Sequence, residues 1–243
     1  MIQTGDWIKI NYTGRLQDNN VVFDTTVESV AKEAKLNSKK KFELFVMCVG
    51  EGHIIKGIDT SLIGKKVGDN YKIKLSAEEA FGKKNSKLLQ LISKSKFTKD
   101  KVNPIPGLKV NIDGQEGIIK SISGGRVIVD FNHPLAGKDV EYEISINSIV
   151  TEDKEKIKGY LTLLFQQDIP FELLGKKILL KYPLPKEMLD VIEKEIIRLL
   201  GEGYKLVIPE IKKKLNTTEK QNKTEKSNEG EKPLNNQKPS ENK

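Results

Sequence analysis

Gly50-Glu-Gly-His-Ile-Ile-Lys-Gly-Ile-Asp59 is the stretch of sequence that says most about this chain. Glycines at 50, 52 and 57 surround two adjacent aliphatic residues, and glycine is used where a backbone turns tightly or approaches a ligand closely. Ile54 and Ile55 are therefore expected to line a pocket with apolar side chains and to offer main-chain groups to a ligand. The residues from Gly57 to Ile63 have the pattern of a short helix, which Gly64 ends.

Segments with strand patterns lie on both sides of this stretch. Alternating or continuous apolar runs predict strands, and turn residues separate them. In this reading Thr13-Gly14 ends the first strand, Asp24 follows the second, and residues 27–41 form a polar loop or weak helix. The predicted strands are Trp7–Tyr12, Val21–Phe23, Phe42–Val49, Tyr71–Leu75 and Val140–Ile146.

The pattern of this sheet breaks at Gly82 and resumes at Val140. Between them, strand-length runs on each side of Ser123-Gly124-Gly125 predict a β-hairpin, preceded by a third run at Leu108–Ile112. This small β unit has more apolar residues than about 45 residues can bury. It is therefore predicted to be an insertion that exposes an apolar patch beside lysines.

The region after residue 151 has its own pattern. A strand at Lys176–Tyr182, a helix at Lys186–Leu200 and a strand at Tyr204–Ile208 predict a small α+β unit. The helix has apolar positions at Met188, Leu189, Ile192, Ile196 and Leu199. From Asn216 onward Leu234 is the only apolar residue, so the tail is predicted to be disordered.

Five separated motifs together carry a resemblance to a known family. They are Tyr12-Thr13-Gly14, Val22-Phe23-Asp24, the 50–59 stretch, Ala80-Phe81-Gly82 and Asn132-His133-Pro134-Leu135-Ala136-Gly137. In this combination the chain resembles the FKBP family of peptidyl-prolyl cis-trans isomerases over about residues 5 to 150. The match is to the SlyD-like branch with an inserted flap, in a long archaeal form with a C-terminal extension.

The resemblance implies an α+β fold, in which an antiparallel β-sheet half-wraps a short helix, a small β-rich domain is inserted in the flap, and a C-terminal α+β domain follows. The implied domains are 1–84 plus 132–151 for the isomerase, 85–131 for the inserted-flap chaperone domain, 152–212 for the C-terminal domain and 213–243 for the polar tail. No function comes with residues 152–212.

The same resemblance implies the residues of the catalytic site. Tyr12, Phe23, Ile58 and Tyr142 are expected to surround the proline ring. The backbone N–H of Ile55 is expected to hold a substrate carbonyl, and Asp24 to orient the site through Tyr12. Phe45 is a further candidate. The full set of expected site residues is Tyr12, Phe23, Asp24, Ile54, Ile55, Ile58, Phe81, Leu135 and Tyr142.

Two of these positions depart from the family pattern. Ile58 stands where most members have Trp, and Phe81 where many have Tyr, so ring stacking and one hydroxyl donor are lost. Each residue also has a simpler interpretation. Tyr12, Ile54, Ile58 and Tyr142 could be ordinary core, and Asp24 a turn former. The joint spacing, rather than any single residue, favours the site.

Charge and composition limit the partners. The net charge is +8, and residues 83–109 hold eight lysines against one acid, Asp100. This can be a solvated face, or it can attract RNA, the ribosome or an acidic client chain. The expected partners are proline-containing unfolded or nascent polypeptides, with the ribosome as a further candidate through residues 83–109.

The remaining expectations are absences. Two histidines and one cysteine give no metal-ligand pattern, so no metal and no cofactor is expected. Cys48 is either a buried small hydrophobe or a reactive thiol. With no signal peptide and no membrane span in evidence, a cytoplasmic location is expected.

Three functions remain open on the sequence. The first is a prolyl isomerase with chaperone activity. The second is a holdase or peptide-binding module that keeps the fold without catalysis. The third is a ribosome- or RNA-associated protein that binds through the lysine-rich insertion.

Overall fold

The computed structural model describes residues 1–36 and 42–208. These residues form twelve β-strands and five α-helices, so the chain has a mixed α+β fold. The strands form three separate sheets, of which the first and second are wholly antiparallel. The predicted disordered tail, 213–243, lies outside the described residues. No helix among residues 1–36 and 42–208 is long and apolar enough to cross a membrane.

The first sheet is built around its longest strands, β1 (Trp7–Leu16) and β9 (Val140–Ile149), which pair along most of their length. The other edge of β1 pairs with β3 (Phe45–Cys48) in its first half and with β2 (Val22–Thr25) in its second half. Strand β4 (Asn70–Leu75) pairs with the far side of β9. Two helices, α1 (Glu28–Glu33) and α2 (Lys56–Leu62), belong to the same part of the chain.

The core of this region lies between the sheet and α2. Alternate residues of β9, including Tyr142 and Ile144, are buried, as the period of two along a strand requires. Ile58 and Leu62 of α2 are fully buried in the same hydrophobic cluster. The short helix therefore packs its apolar side on the sheet, as the sequence predicts.

Two local predictions for this region are wrong. Gly14 does not end the first strand but lies inside β1, which continues to Leu16. Asp24 is not a turn residue after a strand but lies within β2, opposite Gly14. Glycine is required at position 14, inside the strand, because neighbouring rings occupy the space that a side chain would need.

The second sheet comes from the predicted insertion. Its order is β5 (Leu89–Ser93), β8 (Arg126–Asp130), β7 (Gln115–Ser123) and β6 (Lys109–Ile112). The predicted β7–β8 hairpin is confirmed. Strand β5 and helix α3 (Lys94–Lys99) were not predicted; in α3 the lysines leave Phe97 as the only apolar residue. Four buried side chains form the centre of this region: Phe97, Ile119, Val127 and Val129.

The third sheet has the order β10 (Phe171–Leu174), β11 (Lys177–Leu180) and β12 (Lys205–Val207). Strands β11 and β12 are parallel, and α5 (Lys186–Leu200) connects them. Helix α4 (Asp153–Phe165) and β10 were not predicted. Ile192 and Ile196 of α5 are buried as expected, whereas Met188, in the first turn, is 44% exposed.

The third sheet and its helices have a core of their own, and a further cluster joins them to the first sheet. Trp7 and Cys48 are buried in this cluster, with Tyr160 of α4 and Leu199 of α5 packed against it. Burial raises the pKa of the Cys48 thiol to about 11. Cys48 is thus a buried hydrophobe rather than a reactive thiol.

Candidate active site

The candidate site is centred on Gly14 of β1. Gly14 lies opposite Asp24 on one neighbouring strand and opposite Tyr142 on the other. A Cβ atom at this position would lie 2.7 Å from Cζ of Phe23 and 2.8 Å from Cε1 of Tyr142. These distances are too short for any side chain. The absence of a side chain at Gly14 therefore allows two rings from different strands to meet across β1.

Five aromatic rings form a connected group around this point. Phe23 meets both Tyr142 and Phe81 edge to face, with ring centroids 5.7 Å and 5.8 Å apart. Tyr12 lies 5.9 Å from Tyr142, and its ring also meets Phe45 edge to face at 5.7 Å. Edge-to-face packing at these distances is a favourable arrangement of aromatic quadrupoles. The rings of four strands and one loop are therefore held in fixed mutual orientation.

The polar group of the site is a hydrogen bond from the Tyr12 hydroxyl to Oδ2 of Asp24, at 3.0 Å. Burial, and to a smaller extent the Asp24 carboxylate, raises the pKa of Tyr12 well above its usual range. Burial, and to a smaller extent the Asp24 carboxylate, also raises the pKa of Tyr142. Both phenols therefore stay protonated at neutral pH and can act as hydrogen-bond donors, but not as bases.

The 50–59 stretch contributes aliphatic groups and one backbone donor. Ile58 is fully buried, and Ile54 and Ile55 are half-buried against the same hydrophobic cluster. Ile55 is the N-cap of α2, with φ −54° and ψ 140°, and its carbonyl accepts from the N–H groups of Ile58 and Asp59. The N–H of Ile55 itself has no acceptor among the described residues. This donor is available to a ligand carbonyl.

The last part of the site comes from two loops held side by side. The N–H of Gly137 donates to the carbonyl of Gly82 at 2.8 Å. This bond brings the segment after Phe81 next to the segment that contains Leu135, and both side chains pack against the core cluster of the first sheet. The imidazole of His133 stacks on the Phe81 ring, with centroids 4.8 Å apart and planes 3° apart.

His133 was not among the expected site residues. It lies inside the Asn132–Gly137 motif, so the sequence contained a signal, but the resemblance pointed only to Leu135. The exposed imidazole covers one face of Phe81. His133 thus lies against the ring of Phe81, the position at which the resemblance expects a tyrosine in many family members.

The nine expected site residues are therefore brought together in the structure. Eight are buried in, or packed against, one hydrophobic cluster, and Asp24 joins them through Tyr12. Phe45, the further candidate, belongs to the same cluster. Within the described ranges there is no group of three or more His, Cys, Asp or Glu side chains arranged to hold a metal ion. The arrangement can bind an apolar ring and offer hydrogen-bond donors to a carbonyl.

Comparison with known proteins relates this geometry to a function. Residues 90–135 match the family model described as "FKBP26, IF domain". A short-type peptidyl-prolyl cis-trans isomerase of Methanocaldococcus jannaschii is 30% identical over 156 residues, which cover 64% of this chain and 98% of that protein. An FKBP-type 16 kDa peptidyl-prolyl cis-trans isomerase of Escherichia coli is 33% identical over 153 residues, 61% of this chain and 93% of its own length.

The chain belongs to the FKBP-type peptidyl-prolyl cis-trans isomerases. The resemblance drawn from the sequence motifs is confirmed, and the enzyme class is that of an isomerase. A more distant FKBP-type relative is the isomerase SlyD of Treponema pallidum, 27% identical over 104 residues, 41% of this chain and 58% of that protein. This FKBP-type chain thus has both archaeal and SlyD relatives.

Proposed function

We propose that this enzyme rotates X-Pro bonds of unfolded or nascent polypeptides in an apolar pocket formed by the site residues described above. The observation that supports it best is the meeting of rings around Gly14, in the same hydrophobic cluster as Ile55, whose N–H has no acceptor among the described residues. Tyr12, Phe23, Ile58 and Tyr142 would contact the proline ring, with Ile54, Phe81 and Leu135 completing the walls.

The physical basis is the loss of amide resonance during rotation. The planar X-Pro amide is polar and well solvated by water, and its rotation takes tens to hundreds of seconds. The twisted amide has lost the charge separation of the planar form. An apolar, water-poor surface therefore disfavours the planar form more than the twisted one. A thousand-fold acceleration needs about 4 kcal/mol, at about 1.4 kcal/mol per factor of ten.

Hydrogen bonds would supply the rest of the preference for the twisted amide over the planar one. The N–H of Ile55 would donate to a substrate carbonyl and hold the chain while the prolyl bond turns. The Tyr12–Asp24 hydrogen bond would fix the ring of Tyr12 and keep the Asp24 carboxylate close to the rotating amide. Such interactions accelerate rotation only where they are stronger for the twisted amide than for the planar one.

A matched pair of variants at Ile55 tests the role of the donor. Ile55→Ala removes the side chain and keeps the N–H, whereas Ile55→Pro removes both. Proline is compatible with the backbone at this residue, because φ is −54° and the N–H has no partner in the described protein. One hydrogen bond is worth about 1 kcal/mol, so kcat/KM on a short proline peptide should be about five-fold lower for the proline variant than for the alanine variant.

Equal activity of the two variants would show that the Ile55 N–H has no role in the mechanism. Wild-type activity in both would remove the whole pocket assignment. Circular dichroism and thermal unfolding of each variant provide the control for folding, since α2 begins at the next residue.

We further propose that the second sheet and α3 form an inserted-flap region that binds client chains. An open groove of about 400 Å³ lies between α3 and the edge strand β6. Its apolar lining comes from Phe97, Val102, Leu108, Val110 and Ile112. An edge strand beside apolar side chains suits an extended chain, which can add main-chain hydrogen bonds to the sheet.

The charge around the groove favours clients with acidic residues beside an apolar stretch. Residues 85–131 contain eight basic and four acidic residues, and α3 has lysines at 94, 96 and 99 without an acid. Of the acids, Asp130 is buried with Lys84 and Lys120 nearby, which leaves the exposed surface basic. RNA is a poorer fit, because the aromatic residues of the segment, Phe97 and Phe131, both pack into its core.

Fluorescence anisotropy with labelled apolar peptides that differ only in Glu or Lys flanks tests this surface. Glu-flanked peptides should bind about ten-fold more tightly at low salt, and the difference should shrink as salt is added. Val102→Asp in the groove should weaken the binding, whereas Val191→Asp on the exposed side of α5 should not. Binding unaffected by either the flanks or Val102→Asp would refute the groove.

The proposed division of the chain follows from the same considerations. Residues 1–84 with 132–151 would form the isomerase domain, 85–131 the inserted flap, and 152–212 the C-terminal domain. Separate sheets with separate hydrophobic clusters support this division. A holdase without catalysis is disfavoured by the relatives, which are named as isomerases.

A further inference from the structure

The loop that carries Ile54 and Ile55 is fastened from two sides. It connects β3 to α2 and turns through Gly50 and Gly52, whose φ values of +87° and +66° are in the left-handed region. Glycine has a wide choice of conformations. The positions of the two isoleucines therefore depend on what holds the loop in its observed shape.

On its inner side the loop is held by the isomerase region itself. The buried carboxylate of Asp59, on α2, accepts hydrogen bonds from the N–H groups of Gly50 and Gly52 at 2.8 Å and 3.0 Å. The N–H of Cys48 donates to Nδ1 of His53 at 3.1 Å. The bonds to Asp59 tie the loop to the helix that contains Ile58, and the bond to His53 ties it to the end of β3.

On its outer side the loop is held by residues from after position 151. Glu51, between the two glycines, forms an ion pair with Arg198 of α5, with Nη2 and Oε2 2.5 Å apart. The same guanidinium is fixed by Glu195, which accepts from Nε and Nη2 at 3.1 Å and 2.6 Å. The Glu51 side chain is 22% exposed, and the hydrogen bond from Arg198 holds its pKa below the usual value.

A second contact reaches His53, two residues after Glu51 in the same loop. The ring of His53 lies between Trp7 of β1 and Tyr160 of α4, with centroid distances of 5.8 Å and 6.3 Å. Ile54 follows directly. Both contacts from the third-sheet region therefore act within four residues of Ile55, whose N–H has no acceptor in the described ranges.

We infer that Arg198 is a positioning residue for the isomerase, which acts through Glu51 to hold the 49–55 loop and with it Ile54 and Ile55. This inference rests on the proposed pocket. It gives the region after residue 151 a role in catalysis without a direct contact to substrate. A loop fixed before the substrate arrives has less conformational entropy to lose when the substrate binds.

The test is a double-mutant cycle in the full-length chain, measured as kcat and KM on a short proline peptide. Arg198→Ala and Glu51→Ala should each lower kcat/KM roughly three- to five-fold, as expected for a partly exposed charged pair. The double variant should be no worse than either single variant, because both remove the same contact. Arg198→Lys should recover part of the activity, since lysine keeps the charge but not the two-pronged geometry.

Arg126→Ala is the matched control. It removes the same charge from an exposed arginine of the second sheet that has no ion pair among the described residues. Its kcat/KM should equal that of the wild type. Added salt should lower the wild-type value toward that of Arg198→Ala and leave Arg198→Ala nearly unchanged, because salt screens exposed pairs. A purely structural role would change thermal stability without this salt dependence.

Two outcomes would overturn the inference. One is a kcat/KM of Arg198→Ala indistinguishable from that of Arg126→Ala, and the other is a double variant in which the two losses multiply. The Ile55 variants in the same assay separate these failures from a failure of the pocket. If they lose activity while Arg198→Ala does not, the pocket stands and the positioning role falls.

Discussion

The first and second sheets differ in how completely they bury their apolar residues. The first sheet and α2 enclose thirteen buried residues in one cluster, and the candidate site forms its partly exposed edge. The second sheet has four buried residues in its cluster, while Leu91 and Ile105 of the same region are 64% and 53% exposed. Both regions are built on antiparallel sheets, so they can be compared by how completely each is packed.

This contrast relates structure to the two proposed activities. Rotation of a single bond needs groups held in fixed positions, which dense packing provides. Capture of varied client chains needs apolar surface that is free to make new contacts. The same comparison predicts that the second sheet opens locally at a lower free energy than the first.

Removal of the second sheet should give the largest effect and separate the two activities. Asn85 and Asn132 are joined by two hydrogen bonds, of 2.8 Å and 3.0 Å, so a short glycine linker can replace residues 86–131. The shortened enzyme should retain kcat/KM on short proline peptides within about two-fold. Its rate of catalysed refolding of a proline-limited protein should fall about a hundred-fold, since client capture raises the local substrate concentration.

The two assays decide the interpretation together. An equal loss in both would mean that the second sheet is part of the catalytic site. An unchanged refolding rate would mean that the first sheet captures clients by itself. Thermal unfolding of the shortened chain is the control, because the first-sheet cluster contains no residue from the removed segment.

A matched pair of glycine substitutions should sharpen the same contrast with a smaller effect. Gly14→Ala would place a Cβ 2.7 Å from the Phe23 ring, and Gly117→Ala would place one 2.6 Å from Cγ1 of Val129 in the second sheet. Overpacking of this kind costs about 1–3 kcal/mol. Gly14→Ala should lower kcat/KM on short peptides about ten-fold and leave binding of client peptides unchanged, whereas Gly117→Ala should weaken client binding and spare peptide turnover.

If Gly14→Ala weakened client binding and Gly117→Ala lowered peptide turnover, the assignment of one activity to each sheet would be contradicted. A loss of both activities in either variant would show that the two regions are mechanically coupled. Unfolding curves measured beside the kinetics distinguish a local change in packing from a global loss of the fold.

The two sheets also differ in how much of their structure could be predicted from the sequence, and packing is again the reason. The long strands of the first sheet have clear alternation, so β1, β4 and β9 and the short helix could be predicted. The convergence of residues as distant as Tyr12 and Tyr142 was instead implied by the resemblance to the FKBP family. In the second sheet β5 was missed, because Leu89 and Leu91 are exposed and therefore do not show the pattern of a buried face. A sequence pattern reveals a strand only when one face of that strand is packed against a core.

Close approaches between strands lie beyond such patterns. Gly14 was interpreted as the end of a strand, since glycine weakens strands in general, but here neighbouring rings require its small size. The stacking of His133 on Phe81 and the ion pair of Glu51 with Arg198 likewise join residues far apart in sequence. Only the tertiary fold shows these contacts.

The smallest predicted effect concerns the pH dependence of stability in the first sheet alone. Burial lowers the pKa of His53 from its ordinary value of 6.5, against the opposing effect of Glu51 and Asp59. The folded protein therefore binds a proton at His53 less readily than the unfolded chain does. As pH falls below about 6.5, the unfolded state takes up the proton first, so the free energy of unfolding should decrease until the folded-state pKa is reached. Protonation of Nδ1 would also break the hydrogen bond from the Cys48 N–H.

Trp7 is the single tryptophan of the chain and lies 5.8 Å from His53, so its fluorescence reports unfolding of the first sheet and not of the second. Urea unfolding followed at Trp7 should give a free energy that is constant above pH 7 and lower at pH 5.5. In His53→Gln the step between these pH values should shrink, because the titrating group is gone while carboxylates elsewhere still titrate at lower pH. The same step in the variant as in the wild type would assign the pH dependence to another group and leave the 49–55 loop insensitive to protonation.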